Sequence, residues 1–255
     1  MFNLPPKKRF REKKKLIKFL NYSNTFDQTS IKIEGDRSNS LFIKIFKSFE
    51  KSMACESKLN QNIIELDGLS GVKYRYFINN LIENHTRPKY LEIGSWTGST
   101  SCSACYENDL EICCIDNWSE FLDKVKHPKT TFINNINTYL SKKSSFKLIE
   151  SDFKKVNFSD IGKYNIFFYD GPHHEKDHYD SIIKTQKSLS EKYILIVDDW
   201  NWDQVRRGTL NALIELNSKI LSKIEIMTTQ DNTKPLIEGK YSDWHNGTVI
   251  LIIEK

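Results

Sequence analysis

Three carboxylates close short apolar runs: Asp170 follows Asn165-Ile166-Phe167-Phe168-Tyr169, and Asp198-Asp199 follow Tyr193-Ile194-Leu195-Ile196-Val197. Such runs read as buried strands, and if the two are neighbours the three acids share one small crevice. Ionised carboxylates crowded together repel, so they must be protonated, paired with arginine, or bound to a cation. Arg206 and Arg207 are the nearby arginines. For a cation, hard oxygen donors favour Mg²⁺, with Mn²⁺ or Ca²⁺ as the other choices. Because side chains alternate along a strand, Asp198 and Asp199 reach one ion together only where the chain turns.

The second chemical feature is Lys89-Tyr90-Leu91-Glu92-Ile93-Gly94-Ser95-Trp96-Thr97-Gly98-Ser99-Thr100, an apolar run that breaks into a glycine-bracketed turn. Gly94 and Gly98 permit a tight turn and close approach of a ligand, while Ser99-Thr100 can cap a following helix. Dinucleotide and phosphate loops need G-x-G-x-x-G or G-K-[ST]; here Trp96 stands at the second glycine position and no lysine follows Gly98. An acid at Glu92 repels phosphate and attracts a cationic group, which suits the sulfonium and ammonium of S-adenosylmethionine. Asp116 ends the next strand, Glu111 to Ile115, where an acid can accept both hydroxyls of a ribose or simply close a turn.

Leu91 to Thr100 resembles the first motif of class I S-adenosylmethionine-dependent methyltransferases. Within them it is most similar to the metal-dependent O-methyltransferases of the catechol, caffeoyl-CoA and macrolide-sugar type, with E-x-G-x-x-x-G and a central aromatic. The resemblance runs from about Asp67 onward. It implies a cofactor site of Glu92, Gly94, Trp96, Gly98, Ser99, Thr100 and Asp116, with Asp152 at the adenine amino group, a position where a plain Ser-Asp turn serves equally well. It also implies a Mg²⁺ site of Asp170, Asp198 and Asp199, and His173 as general base three residues beyond Asp170. Histidine fits that role because its reference pKa of about 6.5 leaves a nitrogen free near neutrality. By this resemblance the metal lowers the pKa of an acceptor hydroxyl, His173 removes its proton, and the oxygen attacks the sulfonium methyl in line. The acceptor is then a small hydroxylated molecule such as a sugar. His174 is the spare base, and Trp118, Trp200 and Trp202 either wall the acceptor pocket or pack.

Two other readings carry weight. His174-Glu175-Lys176-Asp177-His178 is a literal H-E-x-x-H, the zinc peptidase signature, but it opens a helix directly after Gly171-Pro172 instead of lying within an amphipathic one. A nucleic-acid methyltransferase is the other, since the first nineteen residues carry eight basic side chains against Glu12, a charge of +7 within an overall +5. Asp170-Gly171-Pro172-His173 lacks the second proline and the stacking aromatic of D-P-P-Y enzymes.

The elements needed to position these groups follow from periodicity. Apolar residues recur at helical spacing from Leu41 to Met53 and from Tyr74 to Ile82, with Asp67-Gly68-Leu69-Ser70-Gly71 as a loop between and Arg87-Pro88 as a stop. Downstream, helices are expected over 99–107, 175–189 and 203–216, with Asp203 as cap, and strands at 146–150, 165–169, 193–197, 224–227 and 248–253. This alternation predicts an α/β fold with a doubly wound, mostly parallel, seven-stranded sheet. The expected organisation is a basic arm over 1–30, a helical cap over 31–88 and a cofactor-binding core over 89–255. By the resemblance, the cap helices help cover the active site. The 255 residues are 38% apolar, with no run long enough to span a membrane. Lysines rather than an apolar signal region follow the start, and the odd set of five cysteines reads as reduced thiols, so a cytoplasmic protein is expected. Cys102-Ser103-Ala104-Cys105 has redox or zinc spacing but reads as small packing residues on a helix.

Overall fold

The computed structural model describes residues 29–120 and 124–255, so the basic arm of residues 1–19 lies outside the described residues. In chain order the elements are β1 (Ser30–Gly35), α1 (Ser40–Met53), α2 (Gln61–Ile64), α3 (Val72–Asn84), β2 (Lys89–Ile93), α4 (Ser99–Cys105), β3 (Glu111–Asp116), α5 (Pro128–Tyr139), β4 (Ser145–Glu150), β5 (Tyr164–Tyr169), α6 (Glu175–Thr185), β6 (Leu189–Asp198), α7 (Asp203–Glu215), β7 (Lys219–Met227) and β8 (Thr248–Glu254). No helix of the described residues is long and apolar enough to cross a membrane.

Among the described residues the strands form one sheet in the order β1-β7-β8-β6-β5-β2-β3-β4, eight strands rather than the expected seven. The extra strand is β1, in a region expected to be helical. Its Ile31 and Ile33 alternate with Lys32 and Glu34 and pair antiparallel with Ile226 and Ile224 of β7. Strands β2 to β6 are parallel, whereas β8 runs against β6 and β7. The chain lays down β2, β3 and β4 in one direction and then returns to place β5 on the other side of β2. The carboxyl ends of β2 and β5 are therefore the topological switch point, where such sheets open a crevice.

Alternation splits the core into two layers. Tyr90, Ile112, Cys114, Ile166, Phe168 and Ile194 pack on one face with side chains of α1, α3 and α4, and the cysteines of the C-x-x-C stretch are buried there as free thiols. Leu91, Ile115, Phe167, Tyr169, Leu195 and Val197 pack on the other with Ile182 of α6 and Leu213 of α7. Strands buried on both faces have to be continuously apolar, which is why β5 and β6 are legible as runs. Two boundaries differ from expectation. α6 tightens to a 3-10 turn at Gln186–Ser188 and β6 begins at Leu189. Trp202, not Asp203, occupies the cap position of α7, and Asp203 instead pairs with Arg206.

Candidate active site

The turn after β2 is pinned from both sides. The Gly94 N–H bonds Ile115 O, the Asp170 N–H bonds Ile93 O, and Gly94 itself has φ +89° with the Asp170 carbonyl packed where a side chain would start. Trp96 and Trp118 are both left-handed, at φ 43° and 49°. Asp116 holds them: its Oδ2 accepts the Trp96 N–H at 2.7 Å and its Oδ1 the Trp118 N–H at 2.6 Å, while the Trp118 indole donates to Trp96 O. Burial pushes the Asp116 carboxyl up, and these backbone donors work against it. The turn opens onto a crevice of about 670 Å³ lined by Gly94, Ser95, Trp96, Ser99, Thr100 and Asp116, with Asn117, Trp118 and Ser119 continuing the wall.

Three residues expected at the cofactor do not line this crevice. Glu92 is fully buried, and its carboxylate takes the hydroxyls of Tyr90, Thr100 and Ser101, so it rivets the strand to α4. The side-chain alternation that puts Leu91 on one face puts Glu92 on the other, beneath the turn. Gly98 packs against Phe132, and Asp152 accepts the Lys154 N–H to open a 3-10 turn. Asn117 lines the crevice although no sequence pattern marks it, because a polar loop after a strand looks the same whether or not it walls a cavity. The three tryptophans divide: Trp118 lines the crevice, Trp200 is buried with its indole on Glu225, and Trp202 lines a second cavity.

That second cavity, about 800 Å³, shares Leu69 and Asp170 with the first and is lined also by His173, Asp199, Trp202 and Asn246. Here Asp170, His173 and Asp199 bring ligand atoms within 4.8 Å of one another, the one such group of histidine, cysteine and acidic residues among those described. Asp199 gets there by a left-handed turn, φ 58°, at the end of β6. Asp198 does not join the group. It continues the strand alternation toward the Ile194–Ile196 face, fully buried, with Oδ1 lacking a hydrogen-bond partner among the described residues.

The charges are poorly balanced. Burial and then repulsion from Asp199 drive the Asp170 carboxyl well above its usual range, and burial with Asp170 and Asp199 does the same to Asp198. Asp199 is the exception: burial raises it, but the His173 imidazole at 2.7 Å and the Asn246 amide at 2.6 Å hold it below the usual range. Burial disfavours a charged His173, yet Asp199 and Asp170 lift it to about 9. The two carboxylates thus favour the protonated imidazole, and a free base nitrogen at His173 requires that their charge be offset. The arginine alternative also falls, since Arg206 donates to the Trp200 and Asn201 carbonyls and Arg207 pairs with Glu175. The H-E-x-x-H residues diverge: His178 is buried edge-on to Tyr169, Glu175 faces Arg207, and His174 is the cap residue of α6.

The segment 65–71 ties both cavities together. Thr97 donates to Asp67 O, Ser70 and Ser99 share a hydroxyl bond of 2.9 Å, and Lys240 donates to Glu65 O and the Asp67 carboxylate. Buried Arg75 braces the segment through the carbonyls of Ile63, Ile64 and Leu66. The β7–β8 loop, which supplies His245 and Asn246, was missed as a functional segment; only its mixed polar and aromatic composition could have marked it.

Residues 91–200 match the family model described as a methyltransferase domain. No curated protein sequence matches the chain. Among solved structures it is similar to TrmN of Thermus thermophilus, at 12% identity and TM-score 0.49 over 76% of this chain, and it spans 52% of that protein's length. It is similar also to a Pyrococcus horikoshii protein provisionally assigned as an RNA methyltransferase, at 16% identity and TM-score 0.49, covering 82% of this chain and 96% of that one. A Klebsiella pneumoniae protein provisionally assigned as an O-methyltransferase matches at 8% identity and TM-score 0.45, covering 85% of this chain and 91% of that one. The stretch that matches the methyltransferase-domain model, residues 91–200, holds the glycine turn at the switch point of a doubly wound sheet and the acid that ends the neighbouring strand.

Proposed function

We propose that this domain methylates a hydroxyl of a small acceptor with the help of a divalent cation. The observation that carries the reading is that the crevice at the glycine turn and the acid-lined cavity adjoin, with Leu69 and the carboxylate-bearing Asp170 lining both. On this reading Asp116 takes the cofactor ribose, with Gly94 and Trp96 presenting backbone to the rest, and the acceptor enters beside Trp202. The acid cluster fits a cation: Asp170 and Asp199 are hard oxygen donors drawn together at the wall of one cavity, with no arginine to offset them. S-adenosylmethionine supplies an electrophilic methyl group, and a bound divalent cation supplies a Lewis acid that lowers the pKa of an oxygen. His173, whose Nε2 meets Asp199, is the group that handles the acceptor proton. Its charge is stabilised chiefly by Asp199, so the imidazole becomes a base only where that carboxylate is neutralised by another positive charge.

The test is methyl transfer from labelled S-adenosylmethionine to a panel of hydroxylated small molecules, with Mg²⁺ or with chelator. Transfer that depends on added cation supports the reading, and full turnover in chelator removes the cation from it. A polyanionic acceptor is the second reading, favoured by the eight basic residues of the arm. It predicts salt-sensitive RNA binding that disappears when residues 1–19 are deleted.

A further inference from the structure

We infer that Asn246 is the positioning residue that aims Asp199 into the cation site. The inference rests on the cation reading above and adds to it a residue from a different part of the chain, the loop ahead of β8.

Asp199 is 3% exposed and sits in a left-handed backbone conformation, so its carboxylate points away from the path of the strand. Nothing in the strand itself fixes how that carboxylate is rotated. Its Oδ2 meets His173, a side chain more than a third exposed on the loop before α6. Its Oδ1 meets the Asn246 side-chain N–H at 2.6 Å, and Asn246 is 6% exposed and immobilised by its own backbone. The Asn201 N–H donates to Asn246 O at 2.9 Å, the Trp200 N–H donates to Gly247 O, and the Gly247 N–H closes a turn onto Trp244 O. The two segments that carry Asp199 and Asn246 are thus stitched together by main-chain bonds on either side of the side-chain contact.

The chemistry of the amide matters. An amide nitrogen anchors one carboxylate oxygen without cancelling its charge, whereas a lysine or arginine in the same place would compete with any bound cation. The orientation of the amide is set by Asp199, because turning it over would bring the amide oxygen against a carboxylate oxygen. The Asn246 Oδ1 is left buried at the wall of the acid-lined cavity with no hydrogen-bond partner among the described residues.

The experiment compares Mn²⁺ affinity, by electron paramagnetic resonance or calorimetry, in the full chain and in Asn246→Ala, with S-adenosylhomocysteine affinity measured on the same samples. The expected result is Mn²⁺ binding weakened by about 10–100-fold, the usual effect of removing a group that orients a ligand, with S-adenosylhomocysteine affinity unchanged. Mn²⁺ affinity within twofold of the unmodified chain would overturn the inference. Parallel loss of both affinities would make Asn246 a residue of the fold and overturn it equally. Should the alanine variant fail to fold, Asn246→Ser keeps a shorter donor and is expected to lose affinity several-fold, an unchanged value again refuting the role. If the unmodified chain binds S-adenosylhomocysteine but no Mn²⁺, the cation reading itself fails and this inference falls with it, before any variant is compared.

Discussion

Gly94→Ala is the substitution with the most direct consequence for both cavities. A Cβ built on Gly94 would lie 1.8 Å from the Asp170 carbonyl oxygen and 2.4 Å from its carbon, both main-chain atoms that cannot swing aside. Restoring even the tightest tolerable contact of about 3 Å requires the ends of β2 and β5 to separate by roughly 1.2 Å, which breaks the Asp170 N–H bond to Ile93 O. The left-handed backbone adds about 1–2 kcal/mol for an L-residue and the overpacking about 1–3 kcal/mol, so a stability loss of about 2–5 kcal/mol is expected in urea denaturation. Gly162→Ala is the control: φ is +103° there, but the nearest atom to its Cβ is Glu111 Oε1 at 3.9 Å, so only the backbone part applies. Because Asp170 belongs to both cavities, the displacement also reaches the reaction. A misplacement of 1 Å is worth about 100-fold in rate, and calorimetry should show weakened S-adenosylhomocysteine binding in the variant that remains folded. Equal stability losses for the two variants, with cofactor affinity intact in both, would refute the argument from close approach.

Asp116→Ala removes the acceptor of two backbone N–H groups at the crevice wall, and S-adenosylhomocysteine affinity should fall by about 10–100-fold, as for hydrogen bonds to a charged group; unaltered calorimetric affinity would end the ribose assignment. Asp170→Asn should keep S-adenosylhomocysteine binding while Mn²⁺ affinity drops at least about tenfold, since a ligating charge is lost. Equal Mn²⁺ affinity would take Asp170 out of the cation site. His178 is held neutral by burial, its pKa lowered to about 3 from 6.5, so the folded chain binds fewer protons than the unfolded one. Its contribution to stability is complete above pH 6.5 and is lost as the pH falls toward 3, by about 1.4 kcal/mol per pH unit. His178→Leu should therefore flatten the acid side of the urea-midpoint profile between pH 6.5 and 4, and profiles that stay parallel to the unmodified chain would contradict this.

What the sequence makes legible is the part of the fold where burial on two faces forces an unbroken pattern. β5 and β6 are apolar runs because both layers of the core press on them, and Asp170, the acid that follows β5, marks the switch point. β1 is illegible in the sequence because an edge strand needs little burial: only Ile33 packs on the core while Ile31 is exposed, and its charged neighbours look like part of a solvated lead to α1. The fate of neighbouring acids was harder to read. Asp198 and Asp199 are the same residue type one position apart, and only the backbone turn at Asp199 decides which faces the cavity. Glu92 and Asp152 had suitable chemistry at suitable spacing, but one is consumed by three hydroxyls and the other by its own turn. His173 was read from its reference pKa, whereas the ion pair with Asp199 depends on a contact between β6 and the loop after β5 that no local pattern encodes.

The bracing of residues 65–71 has a practical consequence for any attempt to trim this chain. That segment roofs the glycine turn through Thr97 and Ser99 and is clipped to the β7–β8 loop through Lys240. A shortened chain starting at β2 would retain the switch-point strands yet lose Leu69, the shared ceiling of the two chambers, along with the guanidinium prop of Arg75 beneath it. The matched stretch alone is thus a floor and walls without a lid, and recombinant pieces meant to bind nucleoside should begin upstream of α2.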